Sequence, residues 1–441
     1  MKTLAKSALG VAVSAAVAAA SVQASEAVTV DPSLTFTYKN YYWKETAKDD
    51  NGYDRNEWAH GLVADFDSGY VNDLVGAVVT AGYAGPLKIK EGFNYSASNV
   101  AGSYIDDDLD GDNDTLVDSH SISGFQQAYL KAKHTFSGVD LAGTVGVKKR
   151  STETYADSGS RILGASSTGY DLSVSFEGAS LYFTEITGFS GRNDSSFSND
   201  LSDGYGNKVE NVRIFGSNYS YEDLDLAAEY GESKELIQQL FLKAAYSFEL
   251  DGVSSIDLDA RYGKSEANGD LASSNEPEIG ADYEAQYYNL NATYSYGNAY
   301  VGVGYNKTKD GDYIDRYVDG NNDSFNSSLA QWEDYSLAGE KAYLVNGGYN
   351  FSDQGLEGLS WDVWFAKGTD AKEINNFKRR EYGSYISYAF DGSLEGLSLA
   401  WLYVNYRADG SVDDSNDEFR LGTLYDEDVN RLYLTYSVAA F

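Results

Sequence analysis

The run Ile256-Asp257-Leu258-Asp259-Ala260-Arg261-Tyr262-Gly263 decides how the chain is to be read. Apolar or aromatic side chains alternate in it with polar or charged ones, the period of a strand whose two faces meet different surroundings. Further on, Tyr288, Leu290, Ala292 and Tyr294 alternate in the same way with Tyr287, Asn289, Asn291 and Thr293. Tyr296-Gly297-Asn298 then turns the chain into another such run. The pattern recurs upstream, with Leu34, Phe36 and Tyr38 set against Thr35, Thr37 and Lys39. It recurs again with Ala128, Leu130 and Ala132 set against Gln127, Tyr129, Lys131 and Lys133.

Candidate strands fall at about 33–43, 57–68, 73–82, 123–135, 138–148, 169–177, 179–188, 209–221 and 223–233. They continue at about 236–249, 253–265, 281–296, 298–308, 341–352, 358–368, 380–390, 396–407 and 429–441. Many are longer than the roughly five or six residues usual in soluble sheets. A tilted strand crossing a bilayer needs about 9–11 residues. The connections alternate too. Those at 68–72, 136–137, 177–178, 221–223, 250–253, 296–298, 353–357 and 391–395 are tight. Those at 44–56, 83–122, 149–168, 189–208, 266–280, 309–340, 369–379 and 408–428 are mostly long and acidic, and only the joint between 233 and 236 breaks the rule. The expected fold is therefore all-β: a transmembrane antiparallel β-barrel of about 18 strands, with short periplasmic turns and long extracellular loops.

Both ends of the chain fit that reading. Lys2 and Lys6 precede an apolar run from Ala8 to Ala20, and Val22-Gln23-Ala24 supplies a small-x-small cleavage site. This predicts a signal peptide over 1–24 and a single barrel domain over 25–441, exported to the outer membrane of a Gram-negative bacterium. The short stretch before Ser33 leaves no room for a folded plug. The last strand ends on Phe441, the kind of terminal aromatic that barrel-assembly machinery reads.

Composition removes other classes. Of 441 residues, 68 are Asp or Glu and 33 Lys or Arg, a net charge of −35 that opposes nucleic-acid binding. Loss of Lys2 and Lys6 with the signal takes this to −37. There is no Cys, and His60, His120 and His134 are the only histidines, so no His-centred catalytic triad can be assembled and an enzyme is not expected.

Several short motifs carry a resemblance. Arg55-Asn56-Glu57-Trp58-Ala59-His60-Gly61-Leu62 resembles the Asp-Glu-Trp-Ala-Gln-Gly-Phe-like string of the OprD family of outer-membrane porins. Asp67-Ser68-Gly69-Tyr70, Val75-Gly76-Ala77-Val78, Gly396-Leu397-Ser398-Leu399 and Asp428-Val429-Asn430-Arg431-Leu432 look like that family's early and final strands. Val145-Gly146-Val147-Lys148, followed by Asp157-Ser158-Gly159-Ser160-Arg161-Ile162-Leu163, resembles the approach to its third loop, which folds into the pore. Glu177-Gly178 and Ser190-Gly191-Arg192-Asn193 fit the stretch beyond. His60 and Leu62 depart from the string, and Ala400 and Leu402 stand where the family often places pore-facing arginines. The resemblance implies an eighteen-stranded channel for small solutes, helped by a ladder of basic residues of which this chain keeps part.

A channel acts through its radius, its lining groups and its electrostatic barriers. Loop 149–168 is the candidate constriction, with Lys148, Lys149, Arg150 and Arg161 opposed by Glu153 and Asp157. A charge on the lipid face near the midplane costs about 2–4 kcal/mol. That predicts a lumen lined by Lys131, Lys133, Arg213, Lys243, Asp257, Asp259, Arg261, Tyr287 and Asn289. Arg379 and Arg380 fall nearer the rim, and Tyr41, Tyr42, Trp43, Trp332, Trp361, Trp364 and Trp401 are expected in the interfacial girdle. No cofactor is expected. Asp106, Asp108, Asp110 and Asp112, with Gly111, match the first half of a calcium loop, but Val117 stands where its bidentate Glu belongs, so a solvated acidic loop is the other reading. Partners are outer-membrane lipid and lipopolysaccharide, the assembly machinery, and small solutes such as amino acids or carboxylates. A chitooligosaccharide-type porin and an adhesive barrel with ligand-binding acidic loops are the alternatives.

Overall fold

A computed structural model describes residues 31–48, 55–89, 101–105, 115–203, 206–269, 280, 282–413 and 418–441. Eighteen antiparallel strands follow one another around a closed wall. They begin β1 (Ser33–Ala47), β2 (Arg55–Asp67), β3 (Val75–Ile89), β4 (Ile122–Phe136), β5 (Val139–Lys148) and β6 (Ser166–Phe176). Next come β7 (Ala179–Ser190), β8 (Val212–Tyr221), β9 (Leu224–Ser233), β10 (Ile237–Asp251), β11 (Ser254–Ala267) and β12 (Glu284–Tyr296). The wall ends with β13 (Ala299–Asp310), β14 (Lys341–Asn350), β15 (Leu359–Thr369), β16 (Asn375–Ala389), β17 (Leu397–Ser411) and β18 (Asp426–Ala439). Strand β1 pairs with β18 from Thr35↔Ala439 to Ala47↔Glu427, so the sheet has no open edge.

Every expected strand is present, and several run further on the long-loop side: β3 continues to Ile89 and β16 starts at Asn375. The start of β1, the end of β18 and the tight turns share one end. Ser137-Gly138 (φ 51° and 80°) and Glu177-Gly178 (φ 43° and 82°) are two-residue turns with both residues left-handed, the geometry that matches the twist of a hairpin. At the other end, two small hairpins ride on long connections, Ala101–Ile105 with Thr115–His120 and Leu201–Ser202 with Lys208–Val209. Residues 1–24 and the candidate calcium ligands Asp106, Asp108, Asp110 and Asp112 lie outside the described residues.

On the outer face Leu130, Leu172, Leu181, Phe215, Leu290, Val303 and Phe365 are exposed to the surrounding phase. The buried core lies inside the barrel, in its extracellular half. Ile186, Val212, Ile214 and Ile237 point inward from the wall and pack against Tyr155, Ile314, Tyr317 and Val318 of two loops. This core inverts the alternation rule locally and corrects one expected lining residue. Arg213 shares the outward register of Phe215 and Tyr219 and is paired with Glu185 at 3.1 Å. The aromatic girdle is corrected as well. Trp361 and Trp401 are exposed outside, whereas Trp43 is fully buried inside.

Candidate functional site

Loop 149–165 crosses the lumen between β5 and β6, held at three points. At its root Arg150 is buried, its Nε 3.1 Å from Asp171 and its Nη1 donating to the Ser167 carbonyl. Asp157 is equally buried and accepts from the Arg150 amide (2.7 Å), Ser167 Oγ (2.8 Å) and Tyr155 Oη (2.7 Å). Arg150 and Asp157, expected among the solute-facing charges, are instead fasteners; satisfying a buried charge consumed their hydrogen-bonding capacity. In mid-span the carboxylate of Glu229, on β9, accepts the amides of Glu153 (3.1 Å) and Thr154 (2.7 Å) and the hydroxyl of Thr152 (2.9 Å).

At the far wall Ile162 and Leu163 pack on Ala59, Val63, Ala84 and Ile122. Two glycines make that seat. A Cβ on Gly61 would lie 2.3 Å from Ile162 Cγ2, and one on Gly82 would lie 2.4 Å from Leu163 Cδ2. Lys39 Nζ donates to the Ile162 carbonyl at 2.9 Å.

A second loop, 311–340, also folds inward. It meets the first through Thr154 Oγ1 and Tyr317 Oη (2.7 Å), Ser158 N to Asn321 O (2.9 Å), and Asn326 Nδ2 to Glu153 Oε2 (2.6 Å). Tyr287 and Asn289, expected on the open lining, lie beneath it. Tyr287 packs on Tyr313 and Phe325 and donates to the Asn326 carbonyl, while Asn289 donates to Ser328 Oγ. Asp315, Glu333 and Asp334 of this loop are all pushed above the ordinary carboxylate range by burial, with Asp323 adding to Asp315 and Asp315 adding to Asp334. Arg379, on β16, ties the loop down with Nε and Nη2 at 2.8 and 2.7 Å from Glu340.

The strongest convergence of charge lies between the loops at Trp43. The guanidinium of Arg431 sits 3.7 Å from its ring centre, Arg161 4.5 Å and Arg55 5.6 Å. Arg431 also covers Trp332 of loop 311–340 at 4.3 Å. Glu45 answers Arg431 at 2.6 Å and Arg55 at 3.0 Å. Burial, with Arg192, Arg55 and Arg431 close by, lowers the Arg161 pKa to about 9. The group stays charged at neutral pH, and Glu57, which also lies 3.6 Å from Arg55, acts on it in the opposite direction.

The remaining expected residues distribute along the lumen. Lys148, Lys149 and Glu153 line a cavity of about 590 Å³ beside the first loop. Asp259 pairs with Arg261 at 2.8 Å, and Arg261 reaches Asn326 at 2.9 Å. Lys243 lies opposite Arg261, and Asp257 bonds Ser247 below. Lys131 and Lys133 stand over Tyr70 at the periplasmic mouth, Lys131 paired with Asp67 at 2.6 Å.

A family model for outer membrane porins of the OprD family matches residues 28–429. The chain belongs to that family. Porin D of Pseudomonas aeruginosa is 26% identical over 399 residues, 85% of this chain and 82% of that one. Among solved Pseudomonas aeruginosa structures, OpdG aligns with a TM-score of 0.74 at 19% identity, covering 93% of this chain and 98% of that one. OpdK, solved with vanillate, aligns at 0.72 and 17%, covering 93% and 99%. The protein is thus an outer-membrane porin, not an enzyme; it passes small polar solutes through an aqueous channel in a Gram-negative outer membrane, and such porins need no cofactor.

Reading the sequence missed Arg55, Arg431, Lys39, Trp332 and the whole of loop 311–340 as neighbours of the candidate constriction. Parity could have found two of them: Arg431 precedes outward Leu432 on β18, and Lys39 lies between outward Tyr38 and Asn40 on β1. Nothing local marks Trp332, whose position depends on how its loop folds.

Proposed function

We propose that the porin selects small anionic solutes, carboxylates above all, at the junction of loops 149–165 and 311–340. The observation that carries this is the approach of Arg55, Arg161 and Arg431 to one indole, with Glu45 bonded to two of the three. Three guanidiniums set against two carboxylates, Glu45 and Glu57, keep an excess of positive charge that favours a planar, bidentate anion. Lys148 and Lys149 flank the route, and Lys131 and Lys133 receive the solute at the periplasmic mouth. Glu153, Asp259 and Arg261, on the opposite side, supply a transverse field that orients solutes carrying both signs. The carbohydrate reading needs free aromatic faces, and here Arg431 occupies those of Trp43 and Trp332.

Planar-bilayer recordings test the reading. Wild-type channels should prefer anions despite the chain's net charge, and vanillate, the carboxylate present with OpdK, should block the current from the extracellular side. Arg161→Ala should move the reversal potential toward cations and weaken the block. An unchanged reversal potential defeats the assignment.

The same reading takes residues 1–24 as a cleaved signal, Phe441 as the mark that assembly machinery recognises, and lipopolysaccharide as the surrounding lipid. Asp106, Asp108, Asp110 and Asp112 remain a candidate calcium loop. Calorimetry of the purified barrel with calcium decides it, and an absence of heat removes it.

A further inference from the structure

Seven basic side chains point away from the lumen near the extracellular ends of five consecutive strands. They are Lys307 and Lys309 on β13, Lys341 on β14, Lys367 on β15, Lys378 and Arg380 on β16, and Arg407 on β17. They share the register of the exposed Val303, Tyr343, Phe365, Tyr382 and Trp401. Three pairs stand directly opposite one another across adjacent strands: Lys307 with Lys341, Lys367 with Arg380, and Arg380 with Arg407. Like charges so placed repel and weaken a sheet.

Part of that repulsion is answered, by Asp370 on Lys341 (3.2 Å), Asp409 on Lys378 (2.9 Å), and Asp428 and Asp426 on Arg407 (2.7 and 3.5 Å). Lys367 and Arg380 are exposed and have no acidic partner among the described residues. The neighbouring sector has the opposite sign. On the outer faces of β7 and β9–β12 stand Glu185, Glu232, Glu266 and Glu284, which meet the bases Arg213 and Lys264. In a chain with 68 acids and 33 bases, a basic sector of this width that the described acids compensate only in part calls for an external counter-charge.

We propose that the outer wall of β13–β17 binds the phosphate groups of a phosphorylated glycolipid in the outer leaflet, with Lys367 and Arg380 at the centre of the site. This rests on the porin's place in the outer membrane and is independent of its solute preference. Height identifies the occupant. Just below the bases, Tyr305 and Tyr343 (ring centres 5.2 Å apart) and Tyr382 and Tyr403 (6.4 Å) form an aromatic interface, and beneath them Val303, Val345 and Phe365 meet lipid tails. A glycolipid whose tails cover that apolar band holds its phosphates level with Lys367 and Arg380. A second barrel would touch a convex wall along two or three strands; the bases extend over five, which suits small headgroups ranged along the arc.

The test is native mass spectrometry of the detergent-purified porin with lipid A and with dephosphorylated lipid A. Wild type should retain lipid A. The Lys367→Gln/Arg380→Gln double variant should bind it about five-fold more weakly per charge removed, roughly 25-fold in all. Dephosphorylated lipid A should bind both proteins weakly, and inorganic phosphate at matched concentration should not displace lipid A. Lys264→Gln, in the acidic sector, should leave binding unchanged. Single-channel conductance of the double variant should equal wild type, which shows an intact barrel and separates this result from any outcome on solute selection. Equal retention of lipid A by the double variant, or equal binding of the dephosphorylated form, overturns the proposal. So does a wild-type oligomer that the double variant reduces to monomer, since that would give the arc to a second copy.

Discussion

Loop 149–165 and loop 311–340 both fold back into the lumen, yet they are held there differently. The first is suspended from polar groups of the wall, Asp171 and Glu229, and docks its tip in a notch opened by Gly61 and Gly82. The second is packed by its aromatic residues: Tyr313 and Phe325 close over Tyr287, Tyr317 enters the core with Ile214 and Ile237, and Tyr335 lies with Leu344 and Ala366. The first loop thus combines hydrogen bonds to the wall with a packed tip, and the second combines aromatic burial with one buried ion pair, Arg379–Glu340. Their charges differ as well. The first carries Lys149 and Arg161, while the second carries Asp315, Asp323, Glu333 and Asp334. The two sides of the eyelet touch through Thr154–Tyr317 and Glu153–Asn326, but each is anchored to the wall by its own residues.

The largest expected effect falls on the second loop. Arg379→Ala strips Glu340 of its buried partner, a change that costs about 3–5 kcal/mol where a buried pair is broken. Limited proteolysis should then cut within 311–340 while 149–165 stays protected; equal protection of both loops in the variant would erase the contrast. Gly82→Ala addresses the first loop. Its new methyl meets Leu163, and overpacking of this kind costs about 1–3 kcal/mol. Displacement of Leu163 should raise single-channel conductance, and an unaltered conductance would mean that the tip does not set the aperture.

The smallest effect is that of pH. Asp315, Glu333 and Asp334 bind their protons more tightly in the folded loop than in the unfolded chain. Acid therefore favours the folded loop: the contribution is fully present below the ordinary carboxylate value and is lost as pH rises through the raised ones. Loop 311–340 should resist protease better at pH 5 than at pH 8. Loop 149–165, where burial raises the carboxyl of Asp157, should change less.

The wall was legible because a strand between lipid and water must alternate, and Lys131, Lys243, Asp259 and Arg261 show their inward face in the sequence alone. Parity says which way a side chain points but not what lies over it, so Tyr287 and Asn289 read as lining although loop 311–340 covers them. At Val212-Arg213-Ile214 the apolar residues face a protein core rather than lipid, and the same rule then puts Arg213 on the wrong side. The string Glu57-Trp58-Ala59-His60-Gly61 carried more than a resemblance: Ala59 and Gly61 form part of the seat for Ile162 and Leu163. The two adjacent arginines of β16 part company, Arg379 entering the lumen and Arg380 the outer surface, as successive strand residues must.

The seam between β1 and β18 bears on how the porin is made. Thr37 and Ser437 share a hydrogen bond of 2.9 Å across 400 residues of chain. Contacts so distant in sequence form slowly, because the ends must meet before the gain is realised. Until β18 arrives, both β1 and β17 present unpaired edges, each a template for any other strand nearby. Translation delivers β18 last, so the nascent chain must be shielded until its final strand is available to close the wall.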